Sequence, residues 1–141
     1  MCAILNYDHR VSAVVSFAGF NKPMEVTKEQ AVSEAGGIYY LIAPQIWAMQ
    51  IQLFGDLLQL TAVDGINRTH IPVMVVLCSN DTLVPVNTIS IYAQRDSITN
   101  PYVEYLYLEG DKACGHYFKN YPEDKGLLEQ VNAFFEDALK Q

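Results

Sequence analysis

The sequence contains few basic residues: nine lysines and arginines stand against sixteen aspartates and glutamates, for a net charge of −7. Nucleic acids and anionic membranes bind proteins mainly through lysine and arginine, so we expect neither as a partner. The N-terminus also lacks a basic segment followed by an apolar one, the pattern of a secretory signal peptide. The longest apolar stretch, 38–60, is interrupted by Pro44, Gly55 and Asp56, which argues against a membrane span.

Cysteine is scarce as well, and its three positions, Cys2, Cys78 and Cys114, have no metal-ligand spacing. Three cysteines cannot all pair with one another, and free thiols persist in a reducing compartment. We therefore predict free thiols and a cytoplasmic location. The chain has 141 residues, half of them hydrophobic, which is enough apolar material for one domain with a core and is not a disordered composition.

Three short apolar runs predict the strands of a buried sheet: residues 11–17, 73–78 and 103–108. The second run is apolar throughout, follows a proline and ends at Ser-Asn-Asp, as expected of a strand buried on both faces of a parallel sheet. The third run is rich in aromatic residues, which favour strands. We place strand 73–78 at the centre of the fold.

Helical segments separate and flank these strands. Thr27 is a candidate cap for a short helix that a Gly-Gly pair would end. The apolar stretch 38–60, with a thin polar face of glutamines, predicts one or two amphipathic helices, and a proline opens a helix predicted over 86–95. Strands that alternate with helices imply parallel pairing, so we predict a three-layer α/β fold. Further helices are predicted at 1–9 and from Pro122 onwards, with 64–68 as a connection.

Two polar residues occupy equivalent positions, each in the loop that follows a predicted strand. Asp81 follows strand 73–78, and His116 lies a few residues beyond strand 103–108. Adjacent parallel strands would bring these loops side by side, at the edge where open α/β sheets bind ligands. An aspartate that accepts the Nδ1 proton of a histidine orients the imidazole as a general base. Taken alone, however, an aspartate in such a loop is more often a turn former or a helix cap.

The two loops resemble those of the α/β-hydrolases. Residues 80–85, Asn-Asp-Thr-Leu-Val-Pro, are similar to the family's acid loop, in which a strand ends in aspartate followed by a Val-Pro pair. Residues 115–118, Gly-His-Tyr-Phe, are similar to the loop that carries the family's catalytic histidine. The order of aspartate and then histidine also agrees with the family's order of serine, acid and histidine. The resemblance implies that Asp81 is the triad acid and His116 the triad base.

The resemblance extends over essentially the whole chain but corresponds only to the C-terminal half of such an enzyme. Residues 11–23 are similar to the strand that follows the nucleophile helix, and the apolar stretch 38–60 is similar to the cap inserted after that strand. The implied organisation is a single partial α/β-hydrolase domain over 1–141, with about three strands and a helical cap at 24–62.

The aromatic side chains of the predicted cap have two interpretations. The resemblance implies that they contact the substrate. The other interpretation is that they belong to a hydrophobic core, which is the commoner role of aromatic residues at helical spacing. The residues concerned are Tyr39, Tyr40, Trp47 and Phe54. The remaining histidines have structural explanations: His9 ends a predicted helix, where a cation suits the helix dipole, and His70 is a polar residue just before a strand.

The sequence departs from the family pattern at the nucleophile. It contains no Gly-x-Ser-x-Gly, the motif of the nucleophile elbow, which in the family would lie just before a helix like 1–9. The oxyanion-hole donors would be missing with it. The replacements considered are Ser16, Ser33, Ser79, Cys2 and Cys114. The serines do not lie on a predicted strand-to-helix elbow. Cys114 lies two residues from His116, but an inert loop cysteine is the commoner case.

These features favour the C-terminal portion of a serine hydrolase that acts on esters or related acyl bonds and is inactive without its nucleophile. The resemblance implies a small ester-like substrate, no cofactor and no metal. The alternative is a non-enzymatic module, derived from a truncated hydrolase, that binds a partner or a small ligand through its apolar helices. In a third possibility, an unrelated three-layer α/β domain, Asp81 and His116 would lie apart.

The same partial fold predicts self-association. Strand 11–17 would lack a neighbour on its outer side, and an unprotected edge strand can pair with another chain. Without a covering partner, the helices at 38–60 would present an exposed apolar patch. We expect a homo-oligomer joined through strand 11–17 or through helices 38–60.

Overall fold

A computed structural model of the chain describes residues 2–7, 10–109, 115–118 and 124–140. Its three strands form one parallel sheet in the order β1-β2-β3, which confirms the predicted α/β fold. The elements, with η for a 3₁₀-helix, are η1 (Cys2–Asn6), β1 (Val14–Phe17), α1 (Pro23–Ala35), η2 (Gly36–Ile38), α2 (Tyr39–Phe54), η3 (Gly55–Gln59), α3 (Ala62–Asn67), β2 (Val73–Cys78), η4 (Tyr92–Ser97), β3 (Val103–Leu108) and α4 (Lys125–Ala138).

The central strand β2 is buried along its whole length, as its unbroken apolar sequence predicts. Its first residue, Val73, lies beside Val14 of β1 and Val103 of β3, so the three strands begin level with one another. Because successive side chains of a strand point to opposite faces, alternate residues of β2 enter two separate core clusters. The carboxyl ends of β2 and β3 therefore meet at one edge of the sheet.

Helical elements cover both faces of the sheet and make the three layers that were predicted. On one face, Leu5 of η1 and Ile66 of α3 are fully buried against β2. On the other face, α4 buries Leu127, Val131 and Phe134, which follow one another at helical spacing. Both faces of the central strand β2 are thereby shielded from water.

The prediction of a helix over 86–95 is wrong. Residues 86–89 form turns, and the only helical element here is the 3₁₀-helix η4. The cause is tertiary: the Asn21 amide donates to the Ile89 carbonyl at 3.0 Å, and the Ile91 amide donates to the Gly19 carbonyl at 2.9 Å. These bonds hold 89–91 against 19–21 as a short antiparallel contact and take up backbone groups that an α-helix would use internally.

Several predicted boundaries also shift. The helix assigned to a Thr27 cap begins at Pro23, because proline suits the first helical turn, and the Thr27 hydroxyl donates instead to the Pro23 carbonyl at 3.2 Å. The predicted connection 64–68 lies largely within α3, which Thr61 caps by accepting the Asp64 amide at 2.9 Å. Strand β1 begins three residues later than predicted, and the predicted start of the last helix at Pro122 lies outside the described residues.

The cysteines differ from one another. Cys2 is a free thiol and is buried in η1, whereas Cys78, the last residue of β2, is disulfide-bonded. The prediction of free thiols is therefore wrong for Cys78. The third cysteine, Cys114, lies outside the described residues, as does His9.

The predicted cap region is helical from residue 24 to residue 59, with α1, η2, α2 and η3 in succession. Pro44 lies within α2, and Gly36 and Gly55 end the two α-helices with positive φ angles of 55° and 50°, a conformation that glycine adopts readily. In the described parts of the chain, no helix combines the length and the apolar character needed to cross a membrane. The boundaries 24–62 of a cap stay a prediction.

Candidate active site

The turn after β2 holds the carboxylate of Asp81 in a fixed position. The Asp81 amide donates to the Cys78 carbonyl at 3.1 Å, which closes the turn. The side chain is 2% exposed, and its Oδ1 atom accepts the amides of Leu83 and Val84, each at 2.9 Å. This pattern is an Asx turn, in which a short side chain replaces backbone hydrogen bonding. One oxygen therefore stabilises the loop, and the other, Oδ2, is left for a different partner.

The turn at 115–118 lies next to this loop and is anchored at both ends. At its start, the Gly115 amide donates to Oδ1 of Asn80 at 2.8 Å, and Gly115 has a φ of 52°, in the left-handed region where glycine is favoured. At its end, Phe118 is buried and packs edge-to-face on Phe17, with ring centroids 5.1 Å apart. Between these anchors, His116 has little freedom to move away from the sheet edge.

Asp81 and His116 form a hydrogen bond between Oδ2 and Nδ1 at 3.1 Å. A carboxylate can only accept, so the contact requires the proton of a neutral imidazole to be on Nδ1. The Nε2 atom then carries the free lone pair and can take up a proton. The His116 side chain is 24% exposed while Asp81 is almost fully buried, so the base can reach a ligand and its orienting group is protected from water.

A cavity of about 480 Å³ adjoins this histidine along the outer side of β1. Its wall includes His116, residues 15–21 of β1 and the following turn, and Ile91, together with Cys2 and Ala3 of η1. Among the described residues that line the cavity, none is a lysine, arginine, aspartate or glutamate. The described part of the site thus combines one oriented imidazole with a wall of apolar or neutral residues.

Two of the side chains weighed as replacement nucleophiles, Cys2 and Ser16, line the same cavity as His116. Ser16 is buried within β1 and not on a strand-to-helix elbow, as its position in an apolar run predicts. Burial raises the pKa of the Cys2 thiol, and a hydrogen bond with the Ser16 side chain acts in the opposite direction but is the smaller influence. The thiol is therefore protonated at neutral pH and a poor nucleophile.

This environment predicts a slow reaction of native Cys2 with iodoacetamide. Because the pKa of the Cys2 thiol is raised above the ordinary value of 9.0, the thiolate is a smaller fraction in the folded protein than in the unfolded chain at the same pH. We expect the alkylation rate of the Cys2 peptide, followed by mass spectrometry, to be about tenfold or more lower in the folded than in the urea-unfolded protein. Equal rates in the two states at neutral pH would contradict the buried, protonated thiol.

The remaining candidates lie elsewhere. Ser33 is exposed in α1, and Ser79 is exposed directly after β2. Among the predicted cap contacts, Tyr39 is buried and its hydroxyl accepts a hydrogen bond from the Trp47 indole at 3.3 Å, while Tyr40, Trp47 and Phe54 are exposed. These residues are not in the described wall of the cavity, and their contact with substrate stays a prediction.

Two features of the site were not singled out from sequence. The Asn80 side chain joins the acid loop to the histidine turn, a contact that spans 35 positions and has no local signature. Gly65 allows η1 to approach, because a Cβ there would lie 2.3 Å from the Cys2 carbonyl oxygen. A glycine within a short helical segment is a weak signal of such a close approach. As for metals, no group of three His, Cys, Asp or Glu side chains within the described ranges could hold an ion.

Comparison with solved structures gives a likeness of fold. The chain is similar to an esterase from Pyrococcus furiosus, with a TM-score of 0.60 and 15% sequence identity, covering 96% of this chain and 48% of the esterase chain. No family model matches the sequence, and no curated protein matches it either. This chain has an esterase-like α/β fold, and it spans about half the length of the esterase it resembles.

Proposed function

We propose that this chain carries the acid and the base of an ester-hydrolysing site, with Asp81 as the acid and His116 as the base. The observation that carries the proposal is the hydrogen bond from His116 Nδ1 to the buried Asp81 carboxylate. It orders the imidazole in the way that acyl-transfer chemistry requires. The esterase-like fold supports the same reaction class. The serine nucleophile would be supplied by polypeptide outside this sequence.

In the proposed reaction, His116 first accepts a proton from the nucleophile and then donates it to the leaving group. Its Nε2 atom takes the proton of the attacking hydroxyl while the oxygen forms a bond to the ester carbonyl carbon. The resulting imidazolium, stabilised by Asp81, gives that proton to the departing alkoxide as the ester bond breaks, which leaves an acyl group on the nucleophile. Water then repeats the sequence and releases the carboxylic acid. Asp81 stays ionised throughout.

The cavity supports an uncharged acyl group as the part of the substrate bound beside His116. The described part of the wall, which leaves out residues 110–114 and 119–123, contains no charged partner for a carboxylate or an ammonium group, and burying an unpaired charge is costly. Its apolar side chains, such as Phe17, Phe20 and Ile91, would instead favour a hydrocarbon chain. Esters of short unbranched fatty acids are therefore suitable test substrates.

The proposal predicts that ester turnover depends on His116 and not on His70. With p-nitrophenyl acetate, an activated ester that water can attack when a general base assists, we expect the chain to hydrolyse the ester only slowly, because the sequence has no nucleophile elbow. We expect His116→Ala to reduce the rate to that of buffer. His70→Ala is the matched control because His70 is exposed just before β2, remote from the sheet edge that carries the site. The measurement is the rate of nitrophenolate release at a protein concentration so high that the rate no longer rises with it.

Two outcomes would contradict this function. Turnover that survives His116→Ala unchanged would place the chemistry elsewhere on the chain. Turnover by the unaltered chain no faster than buffer, even when a polypeptide supplying the nucleophile is added, would favour the alternative of a non-enzymatic binding module.

A further inference from the structure

Two neighbouring hydrogen bonds join the loop that carries Asp81 to the turn that carries His116. Oδ1 of Asn80 accepts the Gly115 amide at 2.8 Å, and the next residue, Asp81, is bonded to His116 at 3.1 Å. Consecutive residues of one loop therefore pair with consecutive residues of the other. The second bond holds the imidazole directly, whereas the first holds the backbone from which the imidazole projects.

Gly115 is the position at which this backbone is easiest to displace. Glycine has more conformational freedom to lose on folding than any other residue, and Gly115 is held at a φ of 52°. A Cβ added there would meet no described atom within 4 Å, so no described side chain packs on that side of the backbone. The other end of the turn differs, because Phe118 is buried in the core. Among the described residues, Asn80 therefore provides the contact that fixes the start of the turn.

Asn80 is well placed to hold that backbone, because its own backbone is part of a closed turn. The Asp81 amide donates to the Cys78 carbonyl at 3.1 Å across it. Oδ1 of Asn80 also lies 2.7 Å from Sγ of Cys78, the last residue of the buried strand β2. That sulfur is disulfide-bonded and carries no proton, so it does not compete with the Gly115 amide as a donor. The acceptor oxygen is thus held at the edge of the sheet.

We propose that Asn80 is a positioning residue of the site, which keeps the His116 ring within reach of the Asp81 carboxylate by holding the Gly115 backbone. Asn80 acts through another residue and does not contact the reacting atoms. The inference rests on the proposed function only for what the positioned ring does, since the bond from His116 Nδ1 can be measured without catalysis. A displacement of about 1 Å in a catalytic group can cost about 100-fold in rate.

Exchange of the His116 Nδ1 proton with water, followed by NMR on the full chain, tests this role. Asn80→Ala removes the acceptor of the Gly115 amide, so we expect the ring proton to exchange about five- to tenfold faster. The slow hydrolysis of p-nitrophenyl acetate should fall by about tenfold in the same variant. Asn80→Asp retains a side-chain oxygen that can accept the Gly115 amide, and it should keep the exchange rate of the unaltered chain.

Asn67→Ala is the matched control. Oδ1 of Asn67 accepts the Thr99 amide at 2.8 Å across 32 positions, much as Asn80 does across 35 positions. Asn67 and Thr99 precede β2 and β3, so their bond lies at the opposite edge of the sheet from His116. The control should lower stability in urea as Asn80→Ala does but leave the ring exchange unchanged.

Three results would overturn the proposal. The first is an unchanged ring exchange in Asn80→Ala. The second is an equal acceleration in Asn67→Ala, which would indicate a general loosening of the fold. The third is an equal acceleration in Asn80→Asp, which would show that the acceptor oxygen is not what matters. If the unaltered chain hydrolyses no ester, the proposed function fails, and the ring exchange still decides the role of Asn80.

Discussion

Replacing Asp81 with asparagine should move the ring proton of neutral His116 from Nδ1 to Nε2 while leaving the fold in place. The asparagine oxygen can still accept the amides of Leu83 and Val84, as Oδ1 does now. Its NH₂ group would then face His116 Nδ1, 3.1 Å away, where two donors cannot bond. The ring must move its proton to Nε2, the atom that the proposed reaction needs free.

We expect this variant to lower the rate of an assembled site by about 10²–10⁴-fold, the usual contribution of a general base. The free energy of unfolding should fall by only about 1 kcal/mol, since charged hydrogen bonds become neutral ones. Nitrogen chemical shifts of the His116 ring report the tautomer directly and do not require activity. The ring of His70 should not change. An unaltered His116 tautomer in Asp81→Asn would contradict the assigned role of the carboxylate.

The second large effect is expected at Gly65, where alanine should lower the free energy of unfolding by about 2–4 kcal/mol. The new Cβ would lie 2.3 Å from the Cys2 carbonyl oxygen and 3.2 Å from the Asn6 side-chain nitrogen, so η1 must move away from α3. That movement would also expose the Cys2 thiol. Urea unfolding measures the stability, and the rate of Cys2 alkylation should rise in the same variant.

Gly126→Ala provides the comparison for Gly65→Ala. At Gly126, in the first turn of α4, the added Cβ meets Asp124 Oδ1 only at an ordinary distance of 3.5 Å. Alanine favours helices over glycine, so this variant should gain about 0.5–1 kcal/mol. If both variants change stability equally, the close approach of η1 is not what restricts position 65.

The central part of the fold was predictable because its signals are local. A short apolar run that follows a proline and ends in turn residues is typical of a buried strand, and β2 is fully buried. Parallel pairing of neighbouring strands then brings together the loops that leave their carboxyl ends. The hydrogen bond between Asp81 and His116 is the arrangement that these two steps lead to. Whether the pair acts on esters is a matter for the experiments above.

What the sequence did not reveal depends on distant contacts. The segment 86–95 follows a proline, which suits the start of a helix, but the Ile91 amide donates to the Gly19 carbonyl, more than seventy positions away along the chain. The proximity of Cys2 to His116 requires η1 to pack on Gly65, and the disulfide at Cys78 requires a second thiol in the right place. None of these contacts leaves a periodic pattern in the residues that make them.

The two side chains of the proposed site differ in how much of the molecule depends on them. His116 lies at the surface of a turn that Gly115 and Phe118 hold by themselves, so its loss would cost chemistry and little else. Asp81 accepts hydrogen bonds both from the His116 imidazole and from two backbone amides of its own loop. Selection for foldability alone would therefore retain a side-chain oxygen at position 81, which aspartate or asparagine can supply. In lineages no longer under selection for catalysis, we expect substitutions at position 116 before substitutions at position 81.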